Sequence, residues 1–199
     1  MKRKIKVVSV VCLFLIASAI TKGCALVEND LGNLKSAMKG REAFIQTYDE
    51  ESNIIDKIEG TSIDVTSETK FSTEKSDSSV INVTVGGHEM VHVGSSLIMY
   101  EKGLENQFET FAKTVDVKNF DRSTPFLNKM VNSWGNITTG RSKVVIVRSQ
   151  SGKPLATFAG DKVSYFSTGI DKSTGIMIDG KYLFIYRCDY SIYDTELLK

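Results

Sequence analysis

Short runs of alternating apolar and polar residues fill most of the chain from Ala43 onward, and such alternation predicts β-strands. In the first block the runs are separated by turn-forming residues such as Gly60 and the pair Gly86-Gly87. The runs are, in order, FIQTY, IIDKI, SIDVT, SVINVTV, HEMVHV and SSLIMYE. Residues 43–101 are therefore predicted to form antiparallel strands and hairpins.

The period changes to that of helices between the two β-rich blocks. Leu104, Phe108 and Phe111 recur at helical spacing and predict a short helix over 103–113. A stronger apolar stripe follows Pro125, which suits the first turn of a helix. Its members are Phe126, Leu127, Met130, Val131 and Trp134. A stripe of this kind is typical of a helix that packs in a core and not of a ligand site.

A second block of predicted strands, residues 142–194, repeats the first. Moving 100 positions along the chain takes Gly60 to Gly160, and moving 93 positions takes Gly87 to Gly180. Apolar positions and polar turns coincide around both glycines. Any two hairpins share alternation and turn glycines, so chance similarity is the alternative. The agreement in hairpin order favours an internal duplication.

The segment KYLFIYRCDYSIY is apolar on both faces, with Tyr182, Phe184 and Tyr186 on one and Leu183 and Ile185 on the other. A strand of that kind is covered on both faces. We therefore predict an α+β fold, mainly antiparallel β, in which two β-rich repeats form a curved or closed sheet packed around a central amphipathic helix. A sandwich covered by that helix is the alternative.

The N-terminal residues have the pattern of an export signal. Basic residues at 2–6 precede an apolar run from Val7 to Ile20, which is short for a bilayer span. Gly23-Cys24 follows and suggests a bacterial lipoprotein that is cut before Cys24 and lipidated there. Secretion after Ala19 and a retained membrane anchor are the alternatives. All three place residues 25–199 outside the cytoplasm.

Together, these patterns divide the chain into three predicted parts. The first part contains an N-terminal signal helix. The parts are a signal peptide at 1–23, a lipidated N terminus and tether at 24–42, and a single β-rich domain at 43–199. Within the domain we expect a β-repeat at 43–101, a helical insert at 102–137 and a β-repeat at 142–194. A body of this length suits one domain with a sizeable core.

Charge and cysteine content narrow the classes of function. The chain has 25 basic and 24 acidic residues, and five of the basic ones lie in residues 1–23. Removal of that segment leaves 20 against 24, a net charge of −4, which argues against nucleic acid as a partner. Cys188 is then the one cysteine besides Cys24. It is expected to be a buried apolar residue, or to pair with Cys24 if cleavage follows Ala19.

Residues 88–92, HEMVH, match the zinc-protease pattern H-E-x-x-H, which needs a helix to bring its two histidines to one metal ion. Glycines on both sides leave too few residues for a helix. On a strand His88 and His92 would lie about 13 Å apart at ~3.3 Å per residue, with Glu89 on the opposite face. Any third ligand would have to be acidic, with Glu105 and Glu109 the nearby candidates. We therefore assign no catalytic residue, no metal site and no cofactor.

Four segments carry a resemblance to a known family: AFIQTYDEESNIIDKIEG, INVTVGGHEMVHVGSSLIMYEKGL, SKVVIVRSQSGKPLATFAGDKVSYF and IDGKYLFIYRCDYSIYDTELL. The sequence resembles a family of small, uncharacterised lipoproteins of Gram-positive bacteria that share a domain of unknown function. The resemblance supports lipidation at Cys24 and implies no activity. Strands around a helix are also similar to the tubby and scramblase-like barrel, an analogy of fold alone.

The sequence thus predicts a non-enzymatic lipoprotein on the extracellular face of the cell membrane. Its expected partners are the membrane, through the N-terminal lipid, and an envelope protein or ligand. Lipid handling, by analogy with the scramblase-like barrel, is the alternative. A zinc-dependent hydrolase using HEMVH is the less favoured third hypothesis.

Mass spectrometry of the mature N terminus distinguishes the three targeting hypotheses. We expect a diacylglyceryl group on Cys24, and its loss in Cys24→Ser. A mature chain that begins at Ile20 would contradict lipidation and indicate ordinary secretion. An intact N terminus would indicate a retained anchor.

Overall fold

The computed structural model describes residues 38–73, 78–114 and 140–198. The predicted signal peptide with its signal helix at 1–23, the predicted lipidation site Cys24 and the helix predicted at 126–134 lie outside these residues. Both of the β-rich blocks predicted from the sequence lie almost entirely within them.

Twelve strands and one α-helix make up most of the described chain, and the predicted antiparallel β character is confirmed. In the first block the strands are β1 (Glu42–Tyr48), β2 (Ile54–Thr61), β3 (Ile63–Ser67), β4 (Val80–Val85), β5 (His88–Val93) and β6 (Ser96–Glu101). Helix α1 (Gln107–Thr114) follows. The second block contains β7 (Lys143–Arg148), β8 (Pro154–Gly160), β9 (Val163–Phe166), β10 (Ser173–Ile178), β11 (Lys181–Tyr186) and β12 (Asp189–Asp194). Short 3₁₀ helices occupy Thr69–Phe71 and Thr195–Leu198.

The strands form three antiparallel sheets. A central six-stranded sheet has the order β2-β1-β6-β11-β10-β9, and the two outer sheets have the orders β12-β7-β8 and β3-β4-β5. Pairing of β6 with β11 joins the two halves of the chain in the central sheet, with Tyr100 opposite Leu183 and Leu97 opposite Tyr186.

Each face of the central sheet packs against one outer sheet. On one face Ile45, Met99 and Phe184 pack with Ile81 and Val83 of the sheet β3-β4-β5. On the other face a second apolar cluster joins the central sheet to the sheet β12-β7-β8. It includes Tyr48, Ile98, Leu183, Ile185, Val145, Val147 and Phe158. The order of the layers is therefore outer sheet, central sheet, outer sheet.

This arrangement corrects the expectation of a closed sheet. In the described part of the chain the central sheet is open, with β2 and β9 as its edge strands. The two-sided apolar pattern of residues 182–186 was interpreted correctly, since all five are buried. The pattern does not, however, specify what covers each face. In the described structure each face is covered by an outer sheet. The predicted packing of a sheet around a central helix is not supported by the described residues.

The two blocks have the same strands in the same registers, which agrees with the predicted duplication. Strands β4, β5 and β6 begin and end 93 residues before β10, β11 and β12. The hairpins β1–β2 and β7–β8 have a register irregularity at equivalent positions, between Thr47 and Tyr48 and between Val147 and Arg148. One difference from the sequence prediction is that KYLFIYRCDYSIY forms two strands, because the chain turns at Arg187, which has a φ of 52°.

Each repeat contributes one half of itself to the central sheet and the other half to an outer sheet. The first repeat places β2-β1-β6 in the centre and β3-β4-β5 outside. The second repeat places β11-β10-β9 in the centre and β12-β7-β8 outside. The equivalent halves thus have opposite positions in the molecule.

Helix α1 begins one residue after Asn106, whose side chain links it to strand β8. Asn106 Oδ1 accepts hydrogen bonds from the backbone N–H groups of Phe108 (3.2 Å) and Thr157 (3.1 Å). The helix predicted at 103–113 is therefore confirmed, with a later start at Gln107. Among the described residues, no helix has the length and apolar character needed to cross a membrane.

Gly60 and Gly160 occupy equivalent tight positions, and the first provides a test of the packing. A Cβ at Gly60 would collide with Cγ1 of Val85, and one at Gly160 with Cγ2 of Ile178, the residue equivalent to Val85. We expect Gly60→Ala to lower the free energy of unfolding by about 1–3 kcal/mol, the usual cost of overpacking.

Urea unfolding of the double-mutant cycle provides the control. In a Val85→Ala background the same Gly60→Ala change should cost much less, because the obstructing methyl group is gone. An equal cost in both backgrounds would contradict the collision as its cause.

Candidate functional site: strand β5 and its exposed edge

The HEMVH segment is a strand, as its flanking glycines predict. Gly86 and Gly87 form a tight turn between β4 and β5, with φ angles of 58° and 89° that glycine adopts without strain. Gly94, with a φ of 100°, ends the strand. The helical geometry that the zinc-protease pattern requires is therefore absent from β5.

The two histidines of β5 have different surroundings. His92 Nε2 donates to the carbonyl oxygen of Ser95 at 2.9 Å, and its ring lies edge-on to Tyr186, with 6.0 Å between centroids. His88 is exposed at the start of the strand, and Glu89 points to the opposite face. The three side chains do not converge on one point.

The acidic residues proposed as a third zinc ligand lie across the central sheet from β5. Glu109 Oε1 accepts from Gln46 Nε2 at 2.9 Å, on the face that packs against β12-β7-β8. Glu105 lines a cleft on that same side with Arg141 and Ile178. Strand β5 belongs to the other outer sheet. Within the described residues, no group of three His, Cys, Asp or Glu side chains is placed to hold a metal ion.

The outer edge of β5 is the feature that sequence reasoning missed. Strand β5 is the last strand of its sheet, and no other strand of the described chain pairs with that edge. Val91 and Val93 point away from the core, and each is 60% exposed. The equivalent residues of the second repeat, Phe184 and Tyr186, are 0% exposed because β11 is paired and covered. The alignment of the repeats shows that Val91 and Val93 are equivalent to Phe184 and Tyr186. It does not show which of the two strands, β5 or β11, is covered.

The described residues also line two clefts elsewhere on the surface. One, of about 250 Å³, lies where the equivalent turns of the two repeats meet, and its lining includes Asp49, Glu50, Ser149 and Arg187. Ser151 Oγ donates to the carbonyl oxygen of Glu50 at 3.1 Å across these turns. The turns that line this cleft therefore form a contact between the two repeats.

The second cleft, of about 510 Å³, contains an ion-pair cluster. Arg141 Nη1 lies 2.7 Å from Asp161 Oδ2 and 3.0 Å from Asp179 Oδ2. The Arg141 guanidinium lowers the pKa of Asp161 through this hydrogen bond. Asp179 also accepts from the backbone N–H of Lys162, so the cluster fastens a turn between strands. These contacts are typical of an ion pair with a structural role.

Cys188 lies at the joint between the repeats. Its Sγ is 3.3 Å from the carbonyl oxygen of Tyr186 and 3.7 Å from that of Leu97, one residue on each side of the β6–β11 pairing. It is a free thiol that packs, partly buried, against the second cluster. Burial raises the pKa of the Cys188 thiol to about 12. The expectation of a buried apolar residue is consistent with these surroundings.

A family model described as a domain of unknown function (DUF5052) matches residues 3–198. No curated protein and no solved structure matches the chain.

The raised pKa of Cys188 predicts a loss of stability at alkaline pH. The thiol ionises near pH ~8.5 in the unfolded chain and near pH 12 in the folded one. Between these values the unfolded state binds fewer protons, so the free energy of unfolding falls as pH rises from about 8.5 toward about 12, by at most ~1.4 kcal/mol per unit.

Urea unfolding under reducing conditions, from about pH 7 to about pH 10, measures this slope. Cys188→Ala is the control and should lack the part of the decline that begins near pH ~8.5. Buried Tyr100 and Tyr182, whose pKa values are also raised by burial, contribute only at higher pH. The same slope in both proteins would contradict the assignment to Cys188.

Proposed function

This chain belongs to the DUF5052 family, and we propose that it is a non-enzymatic interaction module, anchored by lipid on the extracellular face of a Gram-positive cell membrane. In this proposal Cys24 carries the lipid and the β-rich body binds an envelope protein. The surface that binds is the outer edge of β5. Nucleic acid is not a partner.

The location is supported by the sequence of the N terminus. A basic head, an apolar run and Gly23-Cys24 have the order of a lipoprotein signal. The resemblance to small lipoproteins of Gram-positive bacteria favours the same assignment. The predicted tether, residues 24–42, would link the lipid to the folded body, whose first strand begins at Glu42.

The binding role is supported mainly by the edge of β5. An exposed edge strand presents unpaired backbone N–H and C=O groups that pair readily with an added strand. Val91 and Val93 add an apolar surface beside these groups, each 60% exposed. Proteins protect such edges with charge, proline or cover, yet the two outward-facing residues at the end of β5 are valines. An extended segment of a partner protein therefore fits this edge best.

The non-enzymatic assignment is supported by the form of the HEMVH segment. The motif would act through two histidines one helical turn apart, and the strand separates His88 and His92 instead. The two clefts described above contain ion pairs and turn hydroxyl groups that hold turns together.

Neither alternative function gains support. The lipid-handling hypothesis depended on analogy with a closed barrel, whereas the described central sheet is open and both of its faces are filled by side chains. Among the residues that the structure describes, the hydrolase hypothesis has no third ligand on the side of β5.

Site-specific photo-crosslinking tests the binding edge. A photoreactive residue in place of Val91, in the full-length chain in intact cells, should yield adducts of discrete mass with a protein. Ile55 is the matched control, because it is 58% exposed and lies on β2, another edge strand. We expect several-fold more adduct at Val91 than at Ile55.

A charge on the same edge provides the second arm. Val93→Lys should abolish the Val91 adduct, since a lysine on an edge strand opposes the addition of a further strand. Equal labelling at Val91 and Ile55, or labelling that persists with Val93→Lys, would contradict the proposal.

A further inference from the structure

Each outer sheet has the strand order of half of the central sheet. The order β8-β7-β12 is the second-repeat equivalent of β2-β1-β6, and β5-β4-β3 is the first-repeat equivalent of β11-β10-β9. The central sheet is complete because β6 pairs with β11. The equivalent pair, β12 and β5, remains unjoined in the described structure. Joining β12 to β5 would rebuild a six-stranded sheet of the same order as the central one.

One molecule cannot make this joint by itself. The sheet that contains β5 packs on one face of the central sheet, and the sheet that contains β12 packs on the other. The central sheet therefore separates the two free edges. Within the described residues no strand is left to complete either outer sheet, so a second molecule is the source that fits both edges.

We infer that β12 of one molecule pairs antiparallel with β5 of a second copy of this chain. This inference rests on the proposed binding role of the β5 edge and names the partner. The two surfaces are different patches of the same protein, so the joint is head-to-tail and leaves one free β5 and one free β12 on every dimer. Further copies can therefore add to both ends.

The internal joint specifies the register of the proposed one. Residues 183–186 of β11 pair with residues 97–100 of β6, and all of these move by 93 positions between the repeats. The transferred pairs are Met90 with Tyr193, Val91 with Ile192, His92 with Ser191, and Val93 with Tyr190. The ladder has four residue pairs, as in the internal joint.

The side chains suit this register. Val91 would lie opposite Ile192, as Phe184 lies opposite Met99 in the internal joint. Val93 would lie opposite Tyr190, as Tyr186 lies opposite Leu97. The four internal residues are fully buried, whereas Val91 and Val93 are each 60% exposed and Tyr190 and Ile192 are partly buried. His88 and Glu89, at the other end of β5, are exposed as well. Apolar cross-strand pairs of this kind stabilise antiparallel pairing.

The ends of β12 limit the strength of the joint. Asp189 and Asp194 are exposed at its two ends, and acidic residues there oppose a longer ladder. Val144 and Ile146, on the outward face of the neighbouring strand β7, are already buried. The joint therefore consists of the two strand edges and the exposed face of β5. Tethering on a membrane favours such a short joint, because it raises the effective concentration of the copies.

Disulfide trapping between two proteins that each carry one introduced cysteine tests this joint. Full-length chains carrying Cys12→Ser and Cys24→Ser, with Cys188 kept, are purified in mild detergent with tags of different size. Val91→Cys is mixed with Ile192→Cys and oxidised. Opposite residues of an antiparallel pair have Cα atoms about 4.5–5.5 Å apart, within the range of a disulfide. We expect the mixed dimer to exceed both homodimers several-fold.

The control shifts one partner by a single residue. Ser191→Cys replaces Ile192→Cys and points to the opposite face of β12, so its yield with Val91→Cys should fall to that of the parent protein. A chain carrying both Val91→Cys and Ile192→Cys should form a ladder of dimers, trimers and longer species. Thermal unfolding of each variant establishes that it is folded.

Three results would overturn the inference: a mixed dimer no more abundant than the shifted control, a dominant Val91→Cys homodimer, or a dominant Ile192→Cys homodimer. The photo-crosslinking at Val91 separates this failure from that of the proposed function. An adduct with a different protein, without the mixed disulfide, would keep the binding edge and exclude the second copy as its partner. If neither the Val91 adduct nor the mixed disulfide forms, both proposals are contradicted.

Discussion

The pairing of β6 with β11 is the interaction on which the rest of the structure depends. It joins half of each repeat into one sheet, and it buries Leu97, Met99, Phe184 and Tyr186 completely. Without it, each repeat would be a small pair of three-stranded sheets, too small to bury the large residues of β11 on both faces. With it, the remaining half of each repeat covers one face of the shared sheet.

This joint also explains why two similar repeats behave differently. The repeats contribute opposite halves to the centre, so the joint uses one edge of the first repeat and the other edge of the second. A head-to-tail arrangement of this kind leaves the complementary pair of edges unused. Strand β5 is one of those edges. Its exposed valines thus follow from the same geometry that buries the equivalent residues in β11, and the proposed function depends on that asymmetry.

Much of the local structure could be predicted from the sequence. Alternation located the strands, and the glycines around residues 88–92 excluded a helix for HEMVH. Period-two alternation reports which residues share a face, but it carries no information about sheet order. Closure was offered as one form of the predicted curved or closed sheet, and that form was wrong for this reason. The break at Arg187 was missed because an arginine with positive φ has no local signal, although its equivalent in the first repeat is Gly94.

The sequence by itself determined where the strands lie and indicated the duplication, because these depend on neighbouring residues and on the spacing of glycines. The N-terminal address, read from the same kind of local pattern, stays a prediction. Tertiary structure alone decided that β11 is covered and β5 is exposed, although Val91 and Phe184 occupy equivalent places in their repeats. Strand pairing between distant segments makes that choice. Its free energy comes from burying side chains of both repeats together, and neither repeat encodes it alone.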